Sequence, residues 1–469
     1  MNPAEDGLPK PQRYWAILTL MVGLAMSCLD TAIVNVALPS IAQDLHTSAA
    51  DSIWVVNAYQ LAVMIALLPF ASFGDIFGYR RVYRFGLVLY TAAALVSALA
   101  TSLDMLTLGR ALQGLGAAGV MSVNTALVRF TYPRRQLGRG IVVVAVSSAA
   151  GPSVAAAILA VASWPRLFAI NVPIGIVTLL LSFRYLPYTA PSEHRFDLWS
   201  ALLCAAMFGL LITGINGIGH HQAIAAIAAE FAGGVAVGWL LVRRQLSQAM
   251  PLLPVDLFAR PIFTLSVTTS VCSFVAQGIA FVALPFYFHD VIGASAVETG
   301  LLITPWAVMT AILAPIAGYL ADRHPAGILG GIGLAVLASG FVLLALLPAH
   351  PATADIVWRV ALCGAGFGLF QSPNNRAIVA SAPRHRSGGA GAIQGTARLL
   401  GQSIGAALVA LVFGVAGGGH GAATAILIAA GFAGIAVLAS LTRLFEFVRL
   451  PPAPQPHSAA GARLHEPAE

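Results

Sequence analysis

Four ionisable side chains stand where water is scarce. Asp30, Arg110, Glu230 and Arg398 each interrupt a long run of apolar residues. An ionised group in such a run is expensive in hydrocarbon and marks a pairing or a function. Asp30 and Glu230 are the two carboxylates well inside such runs. The chemistry open to a carboxylate there is reversible protonation. Burial favours the neutral acid, a nearby cation favours the carboxylate, and a change of access shifts the balance.

Depth supplies Asp30 with a partner. On a helix running outward, Asp30 lies ~13 Å below the external end by helical rise. Arg110, on a helix returning inward, lies ~8 Å below the same side by the same rise. The two can meet directly or through water, which makes them the candidate proton-coupling pair. The competing reading is a fixed ion pair that locks two helices. Glu230 reads first as a satisfied helix–helix contact or a group reached by external water. Arg398 lies ~15 Å from the cytoplasmic end of its helix. It either binds an anionic substrate group or pairs with a carbonyl or carboxylate.

Amides are the next resource. Asn35, Asn57, Gln60, Gln113, Asn124, Gln277, Gln371, Asn374, Asn375, Gln394 and Gln402 all fall inside apolar runs. Their ordinary role is hydrogen bonding between helices. Asn35, five residues past Asp30, and Gln113, one turn from Arg110, are placed to share a cavity wall. With Asn57, Gln60, Asn124, Gln277, Asn374 and Arg398 they form the candidate substrate cavity. Trp54, Phe274, Phe281, Tyr287 and Trp306 offer π faces to a lipophilic cation, or mark the membrane interface as aromatic residues near helix ends often do. Phe281 and Trp306 join the cavity set.

These groups need apolar helices to hold them. Of 469 residues, 58% are hydrophobic and 9% charged, with mean hydropathy +0.84. Soluble proteins carry about a quarter charged residues, so the composition points to a bilayer as solvent. Fourteen runs are long enough to span it: 15–38, 53–73, 82–101, 105–128, 140–162, 167–186, 198–218, 223–242, 262–286, 299–321, 327–348, 356–380, 389–415 and 422–442. Alternate connections hold the arginines, Arg80, Arg81, Arg84, Arg134, Arg135, Arg243, Arg244 and Arg323 among them. The opposite set holds Asp44, Asp51, Asp104, Asp290, Glu298 and Asp355. The positive-inside rule then puts both termini in the cytoplasm, which an even number of spans requires.

The chain also repeats itself. VALP occurs at 36–39 and at 282–285, an offset of 246. Asp75 matches Asp322 at an offset of 247, and Gly114, Gly116, Ser122 and Asn124 match Gly364, Gly366, Ser372 and Asn374 at 250. Spans one to six thus recur as spans nine to fourteen, with spans seven and eight inserted. A parallel repeat of this kind places a transporter's site near the midplane, between the halves.

Other classes are excluded. The net charge of +7 comes with scattered arginines and Lys10 as the one lysine, so no basic patch for nucleic acid exists. There is no phosphate loop, nucleophile elbow or metal-ligand spacing, and the chain does not read as an enzyme or a metalloprotein. Cys28, Cys204, Cys272 and Cys363 lie apart in apolar runs and read as small buried residues.

Several segments resemble one family. LDTAIVNVALP at 29–39, ASFGDIFGYRRVY at 71–83, GRALQGLGAAG at 109–119, GPSVAA at 151–156 and RLFAINVPIG at 166–175 occur in the order expected of the fourteen-helix drug:proton antiporter branch of the major facilitator superfamily. The pattern departs at Ala71, Ile76, Ala155 and Ala156. The resemblance implies an all-α membrane fold of 6+2+6 helices. A lead at 1–13 precedes a six-helix bundle at 14–190. An inserted pair follows at 191–260, then a second bundle at 261–445 and a cytoplasmic tail at 446–469. It implies export of lipophilic, often cationic drugs or biocides from an inner-membrane monomer, driven by the proton gradient with no cofactor, beside anionic lipid on the cytoplasmic side. It also implies gating by Asp75, Arg80, Arg81, Asp322 and Arg323, and a bend at Gly151 and Pro152. The alternatives are a same-fold transporter of a dedicated anionic metabolite or siderophore, and a non-transporting receptor or scaffold.

Overall fold

A computed structural model of the chain describes residues 8–131, 163–189, 196–219, 222–248, 255–321, 323–348, 351–382 and 387–449. Among these, every long element is a helix: α1 Gln12–Asp44, α2 Trp54–Phe77, α3 Tyr79–Ala98, α4 Leu103–Thr131, α5 Asn171–Tyr185, α6 Leu198–Gly219, α7 Ile224–Leu246, α8 Pro261–Phe286, α9 Ala296–Leu320, α10 Ala326–Ala345, α11 Thr353–Ser381, α12 Ser387–Ala416 and α13 Gly418–Arg449. Eleven helical segments are long and apolar enough to cross a membrane. The expected span at 140–162 lies outside the described residues, and so do Gly151, Pro152 and Asp322.

Hydropathy misplaced several ends, for a physical reason. The first span, expected to stop at 38, continues through Pro39 to Asp44. A proline removes one helical hydrogen bond without ending a helix whose faces are packed. The α8 helix then passes into a π-turn at Tyr287–Val291. Asp75, Arg80 and Arg81, expected in a loop, lie on the last turn of α2 and the first turns of α3. The whole connection is Gly78 at φ +91°, a backbone state that side chains other than glycine's rarely adopt.

The internal repeat is visible in the packing. In the first half, α4 lies along α2 and α3, and α5 along α1 and α3. In the second half, α11 lies along α9 and α10, and α13 along α8 and α10. The joints correspond residue by residue. A Cβ on Gly114 would collide with the Tyr59 backbone, and one on Gly364 with the Trp306 backbone. Gly116 meets Gly86 and Tyr90, while Gly366 meets Gly333 and Leu337. Small residues here let helix backbones touch, the usual basis of helix association in lipid. Helices α6 and α7 pack on each other, and α6 also lies against α2 and α12.

One apolar cluster joins the two halves at the end carrying Asp44. It runs from Ile33, Val34, Leu38 and Ile41 on α1 and Val55 and Val56 on α2 to Val275, Ile279, Val282 and Phe286 on α8. Near the opposite end each half keeps its own cluster. Ala16, Leu20, Val82, Tyr83 and Leu127 belong to the first half, and Phe263, Val267, Ile378, Ala390 and Ile393 to the second. In between, Leu399 and Leu400 of α12 pack with Tyr59, Val63 and Met64 of α2.

Candidate functional site

Three helices deliver the Asp30 cluster. Asp30 comes from the middle of α1, Arg110 and Gln113 from one face of α4, and Asn171 from the first residue of α5. The Asp30 and Arg110 side chains are each 1% exposed and are joined by Arg110 Nη1 and Asp30 Oδ2. Arg110 Nη1 also donates to Gln113 Oε1 at 2.7 Å. Gln113 Nε2 donates to Asp30 Oδ1 at 3.1 Å, and Asn171 Nδ2 donates to the same oxygen at 3.2 Å. Arg110 Nε donates to the Val55 carbonyl at 3.2 Å. The guanidinium carbon lies 4.2 Å from the centre of the Tyr59 ring and 5.6 Å from that of Phe168.

That arrangement fixes the chemistry. Arginine does not lose its proton in proteins, so a proton added to the pair would go on Asp30. A proton on Asp30 would leave Arg110 a buried cation without its counter-charge, which is strongly unfavourable. Loss of that charge would disturb the contact of α1 with α4. The carboxylate is buried and accepts from Arg110, Gln113 and Asn171.

The second half has no counterpart. Ala276, Val360 and Cys363 occupy the positions matching Asp30, Arg110 and Gln113, and all three are fully buried among apolar side chains. Trp306, matching Tyr59, instead packs edge-on to Phe281 and tilts against Phe341 and Phe367.

Other amides bond between helices, Gln60 across the two halves and Gln277 within the second. Ser403 on α12 donates to Gln60 on α2 at 3.3 Å, and Gln402 donates to Gln277 on α8 at 3.2 Å. Asn35, Asn57 and Asn124 are buried on α1, α2 and α4. Asn35 Oδ1, Asn124 Oδ1 and Trp306 Nε1 are buried with no hydrogen-bond partner among the described residues. Arg398, half-buried on α12, likewise has no hydrogen-bond or ion-pair partner among the described residues. Asn374 lies elsewhere, within the second half. Its amide donates to Ser270 Oγ at 2.7 Å, and its oxygen accepts from Arg443 at 2.8 Å. Glu230, on the outlying α7, accepts from Gln222 at 3.4 Å.

The expected gating residues fall into separate contacts. Asp75 accepts from the Tyr79 hydroxyl. Arg80 lies over the Tyr188 ring, and Arg81 lines a shallow cleft with Gly78 and Thr189. Arg323 lies over Tyr319.

Sequence reasoning missed three groups. Asn171 gave a weak signal, as an amide opening an apolar run. Asp197 lies just before α6 and gathers Arg244 at 3.0 Å, Ser200 and Gln248. Desolvation works to raise its pKa. The side-chain hydrogen bonds from Arg244, Ser200 and Gln248, with the Ser200 backbone, prevail and hold it well below the usual carboxylate range. Arg443 is 3% exposed and bonds to Ser266, Asn374 and Ser440, with no carboxylate in reach among the described residues. Cys204, Cys272 and Cys363 are unpaired.

The chain is 57% identical over 445 residues to the Uncharacterized transporter YebQ of Escherichia coli (strain K12), covering 94% of this chain and 97% of that one. It is 30% identical over 425 residues to the Multidrug efflux pump LfrA of Mycolicibacterium smegmatis, covering 88% and 84%. A crystal structure of a bacterial homologue of the human lysosomal transporter Spinster, inward-facing and unoccupied, superposes with a TM-score of 0.68. That match has 15% identity and covers 95% of this chain and 100% of that one. These relatives and neighbours are transporters, which agrees with the expectation of a non-enzyme. The model of the Major Facilitator Superfamily matches residues 20–406. An all-helical architecture, many spans, and agreement in both sequence and fold lead to one statement: the chain is a multi-pass membrane protein belonging to the Major Facilitator Superfamily of transporters.

Proposed function

We propose that the protein is a proton-coupled exporter of small lipophilic drugs or biocides, working by alternating access in the plasma membrane. The observation that carries this reading is the Asp30–Arg110 pair. It is a buried acid whose loss of charge would disturb the contact of two helices. The matched joints of the two halves, with α6 and α7 set apart, favour a 6+2+6 arrangement of fourteen helices. The arginines near the open end favour a cytoplasmic placement of both termini. In that orientation the shared apolar cluster seals the external side, and the halves separate toward the cytoplasm. The similarity to LfrA favours drug export.

The test uses purified protein in liposomes with an imposed pH gradient. A set of lipophilic dyes of both charges is offered to the wild type and to Asp30→Asn. Gradient-driven accumulation of at least one dye, lost in the variant while its binding persists, is the expected result. Accumulation that ignores the gradient, or that survives in Asp30→Asn, overturns the coupling role.

A further inference from the structure

Arg398 gives this reading a substrate class. Counting acids over the whole sequence, Asp30 and Glu230 are the ones that fall inside apolar spans. Asp30 is neutralised by Arg110. Glu230 sits on α7, which packs along α6, and is held by Gln222. Neither acid is placed to balance Arg398: one is paired with Arg110 and the other is on the outlying α7. The intramembrane region between the halves therefore carries one positive charge in excess.

The face of α12 that carries Arg398 is defined by its neighbours. On one side, Gly401 and Gly405 press on Phe274, Val275 and Ile279 of α8. On another, Leu399 and Ser403 meet α2. At about 100° per residue, Arg398 falls between these two contact lines, in register with Gln394 and Gln402 one turn to either side. That face lies between the lines along which α12 touches α2 of the first half and α8 of its own half. Gln402, tied to Gln277 within the second half, is one turn nearer the end where one apolar cluster joins the halves. Arg398 is one turn nearer the end where each half keeps its own cluster.

We propose that Arg398 binds an acidic group of the transported molecule, so that the substrates are small lipophilic acids, anionic at neutral pH, with an apolar or aromatic body. This rests on the reading above that the chain is a transporter with its site between the halves, and it specifies the charge that site accepts. A guanidinium left without a carboxylate in a low-dielectric gap is completed by an anion and repels a cation. Asp30 is buried and paired with Arg110.

The test is binding, which is independent of proton coupling. Full-length protein in detergent is heated with matched sets of one aromatic skeleton bearing a carboxylate, a neutral amide or an amine: naphthylacetate, naphthylacetamide and naphthylmethylamine, with larger homologues. Wild type, Arg398→Gln and Arg398→Lys are compared by the shift of the unfolding midpoint with ligand concentration. The acids protect the wild type in preference to amides and amines. That preference falls about tenfold in Arg398→Gln, the size expected for one charged hydrogen-bonding partner, and persists in part in Arg398→Lys. Equal or better protection by the amines, no protection by any acid, or an acid preference unchanged in Arg398→Gln overturns the assignment. An arginine that merely reaches its head to the cytoplasmic interface would give the last of these results. Failure of the coupling role would instead show as gradient-independent flux, with this binding pattern intact.

Discussion

Asp30 and Arg110 stand 80 residues apart in the chain, yet their charged atoms touch in a site from which water is excluded, with 1% of either side chain exposed. The matching site in the second half is Ala276, Val360 and Cys363, packed without a polar group. One fold thus offers the same corner in an ionic and an apolar version. Removing one partner of a buried pair costs about 3–5 kcal/mol because the other charge is stranded. Asp30→Ala is therefore expected to lower the thermal midpoint sharply. Asp30→Ala/Arg110→Val/Gln113→Cys, which copies the second half, is expected to regain most of that loss while remaining inactive in gradient-driven transport. A triple variant less stable than Asp30→Ala would contradict this.

The glycine joints make a second prediction. Gly116→Leu and Gly366→Leu force a side chain into the backbone of a neighbouring helix and are expected to abolish folded protein in the membrane. Gly431 and Gly434, also helical, have nothing within 4 Å of an added Cβ. Gly431→Ala and Gly434→Ala are expected to match or exceed wild-type stability, by up to about 1 kcal/mol from helix propensity. Size-exclusion chromatography of fluorescently tagged variants reads both outcomes.

Asp197 predicts a pH dependence. Its folded pKa is depressed, whereas an unfolded aspartate titrates near ~3.9. The stability it contributes is therefore fully present above about pH 5 and is lost as pH falls through that value toward the folded pKa. With 21% of Asp197 and 40% of Arg244 exposed, solvent screening keeps the effect small. Between pH 7 and pH 3 the wild-type midpoint is expected to fall more than that of Asp197→Asn. Parallel curves would assign the Arg244 and Gln248 bonds no net stabilisation.

Arg443 is surrounded by neutral acceptors. Asn374→Ala removes one of them and is expected to cost about 1.5–3 kcal/mol, the range for a hydrogen bond to a charged group. In an Arg443→Met background the same change should cost less than half as much, because the cation that needed the acceptor is gone. Equal costs in the two backgrounds would mean that Asn374 serves Ser266 and Ser270 alone.

Much of this arrangement is legible in the amino-acid sequence. The apolar runs gave the helices, and the register of VALP and the glycines gave the repeat. The depth of Asp30 and Arg110 brought that pair together because both lie on straight helices of known rise. What stayed hidden needed knowledge of which helices touch. Asn171 reaches Asp30 from 141 residues away, and nothing local to it announces the contact. Nothing along the chain marks Tyr59, on whose ring the Arg110 guanidinium lies. Arg443 escaped because hydropathy ended the last span at 442. The helix, held by packing, runs on to Arg449 and carries the arginine inside. The face of Arg398, too, is defined by contacts of α12 with α2 and α8 that no pattern along the chain encodes.

The bonds of Arg443 also bear on how the molecule is made. They reach back 177 residues to Ser266 and 69 to Asn374. A ribosome adding roughly 5–20 residues each second needs on the order of 10–35 s after Ser266 before Arg443 is synthesised. Through that interval Ser266, and for about its last 3–14 s Asn374 also, has no partner from the helix that carries Arg443. These contacts must wait for the synthesis of Arg443, and a product cut off before that helix leaves the Ser266 hydroxyl and the Asn374 oxygen without the cation they would hold.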